Sequence, residues 1–169
     1  ALLGEQSGVT IEWLDARFER LREILAALAV IGELPQEVLD RVQGLGEVFS
    51  AHLLGHHLQA LGEDADVLDA RDVLVVNHGE LGVDVDWKSS AARLALWRES
   101  HPSQRLVVTG FVARDRKGHI TTLGRNGSDF SGAIFAALFA ADELHIWTDV
   151  DGVLSADPRV VPEAVQLDA

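Results

Sequence analysis

The chain has 169 residues, of which 27 are Asp or Glu and 14 are Lys or Arg, so its formal net charge is −13. This acidity argues against a protein that binds nucleic acid, because contacts to DNA or RNA phosphates require a basic face. The absence of cysteine excludes disulfides and thiolate sites, and it is typical of a cytoplasmic protein. Every apolar run is shorter than the roughly 20 residues of a membrane span, so we expect no membrane partner.

The chain opens with a run of predicted helices. Apolar residues recur at alternating spacings of three and four over residues 11–31, which indicates one apolar stripe along a helix. Thr10 is expected to cap this helix and Gly32 to end it. Pro35 is expected to begin a second helix, and a third is predicted over residues 46–59.

Beyond residue 62 the pattern becomes that of an α/β protein. The apolar run LVVTGFVA has the length of one strand and the composition of a strand covered on both faces. Strands that alternate with buried helices favour a layered fold with a largely parallel sheet. The predicted elements are at least one strand within residues 65–76, a helix over 89–99, strands over 106–113 and 120–123, a helix over 129–141, and a strand over 144–147.

Charge is unevenly distributed along the chain. Residues 105–125 contain five basic residues and one acidic residue, although the chain as a whole is acidic. A local cationic stretch in an acidic protein indicates a small anionic ligand rather than a long polyanion. The alternative is a solvated hairpin with ordinary surface arginines and lysines.

The segment TTLGRNGSD, residues 121–129, lies between a predicted strand and a predicted helix. Its glycines leave backbone N–H groups accessible near a helix N-terminus, and such an arrangement binds anions. Ser128 or Asp129 is expected to cap the helix. Arg125 suits a carboxylate, whereas Asp129 would repel a bare phosphate and suits an ammonium, a lysine or a magnesium-bound group. The alternative is that Asp129 only caps the helix and Arg125 is a surface residue.

Two further segments carry polar groups. TDVDGVLSADPR, residues 148–159, follows a predicted strand, and ligands collect at the carboxyl ends of strands in open α/β sheets; the alternative is an acidic turn. Glu47 falls in the first turn of the third helix, where stabilisation of the helix dipole is its ordinary role. His52 and His56 share a helix face at a metal-compatible spacing, but no third ligand is evident, which favours a solvated or capped histidine face over a metal site.

Taken in order, the segments LGEVFSAHL, LDARDVL, LVVTGFVARDRKGHITTLGRNGSDFSG and IWTDVDGVLSADPRVVPEA resemble the aspartokinases of the amino-acid kinase superfamily. The form GRNGSD is similar to the kinase part of bifunctional aspartokinase/homoserine dehydrogenases. The resemblance implies part of a three-layer α/β/α amino-acid kinase fold with a largely parallel sheet. Residues 1–62 would form its truncated helical N-terminal part, and residues 63–169 its α/β core.

The resemblance also implies an activity. It is the ATP-dependent phosphorylation of L-aspartate to 4-phospho-L-aspartate, the first step of lysine, threonine and methionine biosynthesis. The implied ligands are L-aspartate and ATP, with Mg²⁺ carried by the nucleotide, and the full-length protein would be a homo-oligomer. By motif position, Glu47, Arg125, Gly127 and Ser128 would bind aspartate, Asp129 would organise cationic groups at the reacting centre, and Thr148, Asp149 and Arg159 would contact the nucleotide.

The sequence departs from the family pattern in two places. The usual opening segment KFGG[TS]S, whose lysine touches the phosphates, does not occur, and Leu154 stands where a tyrosine is common. A later lysine and the paired regulatory modules of the family would lie beyond Ala169. We therefore expect a fragment of the catalytic domain that alone lacks full activity. The alternative is a catalytically inactive amino-acid-kinase-like binding or assembly module.

Overall fold

The computed structural model describes residues 7–79, 82–147, 152 and 154–167. Over these ranges the chain alternates helices and short strands after a helical start. The elements are α1 (Ser7–Ile31), α2 (Gln36–Gln43), α3 (Leu45–Ala60), β1 (Ala65–Leu68), α4 (Ala70–Val73), β2 (Val75–Gly79), β3 (Gly82–Val85), α5 (Trp87–Ser100), β4 (Arg105–Val108), β5 (Val112–Asp115), β6 (Ile120–Thr122) and α6 (Gly127–Leu138).

The three predicted N-terminal helices are confirmed, with differences at their ends. Gly32 ends α1 in a left-handed conformation, φ +76°, which glycine adopts without steric cost. Thr10 does not cap α1, because the helix begins three residues earlier; its side chain is buried and contacts α3 instead. Pro35 occupies the N-cap of α2 rather than its first helical position.

The strands form two sheets within the described residues. In the first, β1 pairs with β4 in parallel; the second has the order β3-β2-β5-β6. Its central pair, β2 and β5, is parallel, whereas β2–β3 and β5–β6 are antiparallel hairpins. The α/β class is confirmed, and the buried core lies where β1, β2 and β5 meet helices α3 to α6.

The run LVVTGFVA forms two strands, so the prediction of one strand over 106–113 is wrong. β4 ends at Val108, and the chain turns through Thr109 and Gly110 to Phe111, whose φ is +64°. The backbone N–H of Thr109 donates to the carbonyl of Leu68 at 3.0 Å, and its hydroxyl accepts from the N–H of Ala70 at 2.8 Å. The run divides because β4 pairs with β1 while β5 pairs with β2.

The predicted strand over 144–147 does not form. This segment has no strand partner among the described residues, and its apolar side chains stay exposed, with Leu144 at 46% and Trp147 at 94% exposure. A strand is held by a neighbour's hydrogen bonds, so an apolar run without a paired edge does not acquire strand structure by itself.

Histidines attach α1 to α3. The ring centroids of Trp13 and His52 lie 4.1 Å apart, the Arg17 guanidinium lies 3.7 Å from the Trp13 ring centroid, and the Thr10 hydroxyl is 2.7 Å from His56 Nδ1. Burial, followed by the charge of neighbouring His56, lowers the pKa of His52 to about 4. The two half-buried rings therefore pack α1 against α3, and the Thr10 hydroxyl at His56 fits the capped histidine face rather than the solvated one.

Acidification is expected to weaken this helix contact. The unfolded chain takes up a proton at His52 near pH 6.5 but the folded chain only near 4, so stability present above pH 6.5 is lost as the pH falls towards 4. After allowance for solvent screening, the loss is about 2 kcal/mol. Besides His56, the charges of Asp69, Arg17 and Arg71 act on this ring, and Asp69 alone favours its protonation.

Urea unfolding followed by tryptophan fluorescence at pH 7 and pH 4.5 measures this effect. His52→Phe keeps an aromatic ring against Trp13 and should lose less stability on acidification than the wild type. His145→Gln, at an exposed histidine, should behave like the wild type. Equal pH dependence in the wild type and His52→Phe would refute the role of this ring.

Candidate functional site

The glycine-containing loop after β6 leads directly into α6. Gly124 and Asn126 both adopt left-handed conformations, with φ values of +74° and +58°, and the Gly127 N–H donates to the Gly124 carbonyl at 3.1 Å. Asn126 is therefore the N-cap residue, and the expectation that Ser128 or Asp129 caps the helix is wrong. Those two residues lie in the first turn, because the left-handed turn at residue 126 starts the helix earlier.

A turn between the two sheets brings α3 and α6 together. The Gly110 N–H donates to Glu47 Oε1 at 2.7 Å, and the Phe111 N–H donates to Ser131 Oγ at 3.2 Å. The Phe111 ring packs on the first residue of α6, since a Cβ atom placed on Gly127 would lie 2.8 Å from Phe111 Cδ2. Glu47 and the N-terminus of α6, predicted separately from the sequence, thus share this turn.

Glu47 is half-buried in the first turn of α3. Its Oε1 atom accepts the Gly110 N–H, and within the described residues its Oε2 atom has no hydrogen-bond partner. One carboxylate oxygen therefore fixes the side chain and the other can accept from a cation. A primary ammonium group, with three donors and a positive charge, fits this arrangement.

The start of α6 presents an acid, a hydroxyl and backbone donors. Ser128 and Asp129 are exposed, while Gly127 is buried against the Phe111 ring. Among the residues that the structure describes, neither Asp129 nor Arg125 has an ion-pair partner. A helix N-terminus with free N–H groups stabilises an anion, and the unpaired Arg125 adds a guanidinium beside it.

Arg125 also borders a cavity of about 750 Å³ between α2, the β2–β3 hairpin and β6. A polar chain runs along this cavity: His78 Nε2 lies 2.7 Å from Thr121 Oγ1, which donates to Asp40 Oδ2 at 3.0 Å. The cavity wall is therefore held by hydrogen bonds between β2, β6 and α2. Arg125 and Phe130 lie where it meets the loop before α6.

The cationic stretch of residues 105–125 is largely neutralised in the fold. Three of its five basic residues meet acids from elsewhere in the chain, leaving Lys117 and Arg125 as the two without an ion-pair partner in the described part of the chain. The pairs are Arg105 with Glu63 at 2.7 Å, Arg114 with Asp72 at 3.5 Å, and Arg116 with Asp86 at 2.9 Å. Within the described residues, the cations left for an anion are therefore Lys117, in the turn between β5 and β6, and Arg125, at the end of the stretch.

Of the three residues predicted to contact the nucleotide, the structure describes only Arg159, and within the described residues Arg159 has no hydrogen bond or ion pair to this site. Thr148 and Asp149 lie outside the described residues. The Arg159 guanidinium is exposed and is held by Asp157, with Nη2 3.0 Å from Oδ2. Leu154 forms an isolated bridge with Gln166.

Sequence analysis missed Phe111 and Ser131, which connect the predicted residues. The signal for Phe111 was the TGF tripeptide inside an apolar run, where Thr and Gly interrupt strand-forming residues. No group of three or more potential metal ligands occurs among residues 7–79, 82–147, 152 and 154–167. None of the helices in these ranges has the length and apolar composition of a membrane span.

Comparison with known proteins places the chain among kinases of amino acids. The model of the amino acid kinase family matches residues 6–169. The chain is 42% identical over 167 residues to bifunctional aspartokinase/homoserine dehydrogenase 1 of Zea mays, covering 98% of this chain and 18% of that protein. It is 43% identical over 145 residues to bifunctional aspartokinase/homoserine dehydrogenase 2 of Escherichia coli K12, covering 86% of this chain and 18% of that protein.

Solved structures give the same result. The E. coli aspartokinase III complex with lysine and aspartate superposes with a TM-score of 0.77 at 29% identity, covering 97% of this chain and 37% of that chain. Its complex with aspartate and ADP gives 0.73 at 32% identity, covering 92% and 35%. The expected fold and the resemblance to aspartokinases are confirmed, although the chain spans 18% of the length of these curated relatives. The chain belongs to the amino acid kinase family.

Proposed function

We propose that this chain supplies the aspartate-binding part of an aspartate kinase, which transfers the γ-phosphoryl group of ATP to the side-chain carboxylate of L-aspartate. The observation that carries the proposal is the turn at Gly110 and Phe111, to which both Glu47 and the N-terminus of α6 are attached. An amino-acid substrate has an ammonium group and two carboxylates. Counting partners only within the described residues, the site offers one free carboxylate oxygen, one unpaired guanidinium and a helix N-terminus.

Each group of the substrate has a complementary group in this proposal. Glu47 Oε2 accepts from the ammonium, and Arg125 binds a carboxylate through its planar guanidinium. The N–H groups of Gly127 and Ser128 hold the substrate at the start of α6. Asp129 organises the cationic groups around the transferred phosphoryl, since this reaction depends mainly on positioning and on neutralisation of charge.

The proposed second substrate is ATP, which carries Mg²⁺. Asp129 is an exposed carboxylate without an ion-pair partner in the described residues. A single exposed carboxylate suits a magnesium ion that arrives bound to the nucleotide, whereas a site made only of protein ligands would need several such groups. Bound Mg²⁺ would neutralise charge on the phosphates. Thr148, Asp149 and Arg159 remain the proposed nucleotide contacts.

A catalytically inactive binding module is the less favoured alternative. An inactive module would not need the charged groups proposed for catalysis and aspartate binding, yet this chain has all three of them, Glu47, Arg125 and Asp129. We extend the proposal to a homo-oligomeric, cytoplasmic enzyme of lysine, threonine and methionine biosynthesis. The name of the Zea mays relative describes that protein as chloroplastic.

Substitution of Glu47 tests the proposal in the parent protein, meaning the longest natural protein that carries this sequence. Glu47→Gln keeps the shape of the side chain but removes the charge that would hold the ammonium. We expect the KM for L-aspartate to rise at least about tenfold, because a charge-assisted hydrogen bond is worth roughly 1.5–3 kcal/mol. The KM for MgATP should change less than about twofold, because Glu47 has no proposed contact with the nucleotide.

A coupled assay of ADP release against L-aspartate concentration measures these constants. Glu12→Gln, at an exposed acid on α1, is the matched control and should leave both constants unchanged. Wild-type parent protein that releases no ADP with aspartate, yet binds aspartate and MgATP in calorimetry, would support the binding-module alternative instead.

A further inference from the structure

Ser131 lies beneath the loops that present the proposed aspartate ligands. It is 2% exposed, one turn into α6. Its hydroxyl donates to the carbonyl oxygen of Ser128 at 2.8 Å and accepts the N–H of Phe111 at 3.2 Å. A single hydroxyl thus joins the first turn of α6 to the turn between the sheets.

The second of these hydrogen bonds distinguishes Ser131 from an ordinary helical serine. Serines often bond to a carbonyl three or four residues earlier in their own helix, and such a bond has no bearing on the neighbouring loop. Here the same oxygen also accepts from Phe111, whose positive φ is unfavourable for a residue with a side chain. The bond therefore fixes a turn that would otherwise have other conformations available.

Glu47 reaches the same place from the other side. A Cβ atom placed on Gly110 would lie 2.9 Å from Glu47 Oε1 and 3.1 Å from Ser131 Oγ, so both oxygens face one point above Gly110. Glu47 Oε1 accepts the N–H of Gly110, and Ser131 Oγ accepts the N–H of the next residue, Phe111. The position of Glu47 relative to Ser128 is thereby set through this turn and Ser131.

We propose that Ser131 is a positioning residue for phosphoryl transfer to aspartate. It holds the Ser128 backbone and the Gly110–Phe111 turn at a fixed separation, so that Glu47 and the start of α6 bind the same substrate molecule. Ser131 itself touches no substrate, because its only polar atom is buried and used twice. This inference rests on the proposed function.

The test compares Ser131→Ala with two variants that keep a polar atom, Ser131→Thr and Ser131→Cys, in the parent protein. Ser131→Ala should lower kcat/KM for aspartate by about 10- to 100-fold, since small misplacements of binding groups are costly. Its KM for MgATP should change less than about twofold. Ser131→Thr should stay within about threefold of the wild type; Ser131→Cys, with its weaker hydrogen bonds, should lie between Thr and Ala.

Ser90→Ala is the matched control. Ser90 is also fully buried in a helix, and its hydroxyl bonds the N–H of Val75 at 3.0 Å, away from both loops. Its substitution should cost comparable stability in urea without an aspartate-specific loss. The same kinetic change in Ser90→Ala, or equal effects of Ser131→Ala on aspartate and MgATP, would overturn the inference.

Amide exchange separates failure of the inference from failure of the proposed function. The Phe111 amide should exchange at least about tenfold faster in Ser131→Ala, because it loses its acceptor. If the wild type releases no ADP with aspartate, the proposed function fails, and the inference fails with it. If the wild type is active and Ser131→Ala retains full kcat/KM despite faster exchange at Phe111, only the inference fails.

Discussion

Asp129→Asn in the parent protein is expected to lower kcat for aspartate phosphorylation by about 100- to 1,000-fold, the range observed when one preorganised electrostatic group is removed. Asparagine has nearly the same shape but no charge, so it cannot balance the cationic groups that gather around the transferred phosphoryl. Asp129 is exposed and, among the described residues, has no ion-pair partner that would already consume its charge. The KM for aspartate should change much less, because the residues proposed to bind aspartate are Glu47, Arg125, Gly127 and Ser128.

Asp142→Asn is the control for this change. Asp142 is another exposed acid, beyond the end of α6, and its substitution should leave kcat unaltered. Loss of the favourable interaction between Asp129 and the helix N-terminus should cost only about 0.5 kcal/mol of stability, so unfolding cannot account for a large kinetic effect. An Asp129→Asn protein with wild-type kcat would show that the reacting centre lies elsewhere.

Gly110→Ala is expected to reduce kcat/KM for aspartate by about 100-fold, because a shift of about 1 Å at a binding group has effects of this size. The new methyl group would lie 2.9 Å from Glu47 Oε1 and 3.1 Å from Ser131 Oγ. Both side chains would have to move, and Glu47 would lose its hydrogen bond from the Gly110 N–H. The cost in stability should be small, about 1 kcal/mol, because the new methyl group meets the ends of two side chains rather than backbone.

The matched control is Gly46→Ala, next to Glu47 in α3. A Cβ atom at Gly46 would meet nothing within 4 Å, and alanine is the better helix former, so this variant should keep full activity and gain a little stability. Steady-state kinetics and urea unfolding of both variants measure the two effects separately. If Gly110→Ala keeps wild-type kcat/KM, the turn does not control the position of Glu47.

The helical part of the fold was predictable because its signals are local. The spacing of apolar residues, Gly32 and Pro35 each act within one or two turns of helix. The division of LVVTGFVA was missed because its apolar residues read as one run, with Thr109 and Gly110 as the local mark of the break. The two partners that divide it, β1 and β2, are distant in sequence. The strand predicted over residues 144–147 failed for the complementary reason: the sequence supplies apolar residues but not the neighbour that would pair with them.

The sequence allowed the individual residues of the candidate site to be predicted, but not the contacts that bring them together. Glu47 and the loop with Arg125 stand out by residue type and by their place at helix starts. Glu47 and the start of α6 are joined through the Gly110–Phe111 turn by hydrogen bonds between residues far apart in sequence, which no local pattern encodes. The cationic stretch was misleading for the same reason, since the acids that neutralise it come from positions 63, 72 and 86.

The hydrogen bond between Glu47 and Gly110 has a consequence for the order of folding. It joins residues 63 positions apart, across the parallel pair β1–β4, and contacts that close such long loops form after local helices and hairpins. The proposed aspartate ligands would therefore come together only in the last steps of folding. A partly folded chain, although rich in helix, would be unable to bind substrate, and substrate would in turn stabilise only the fully folded form.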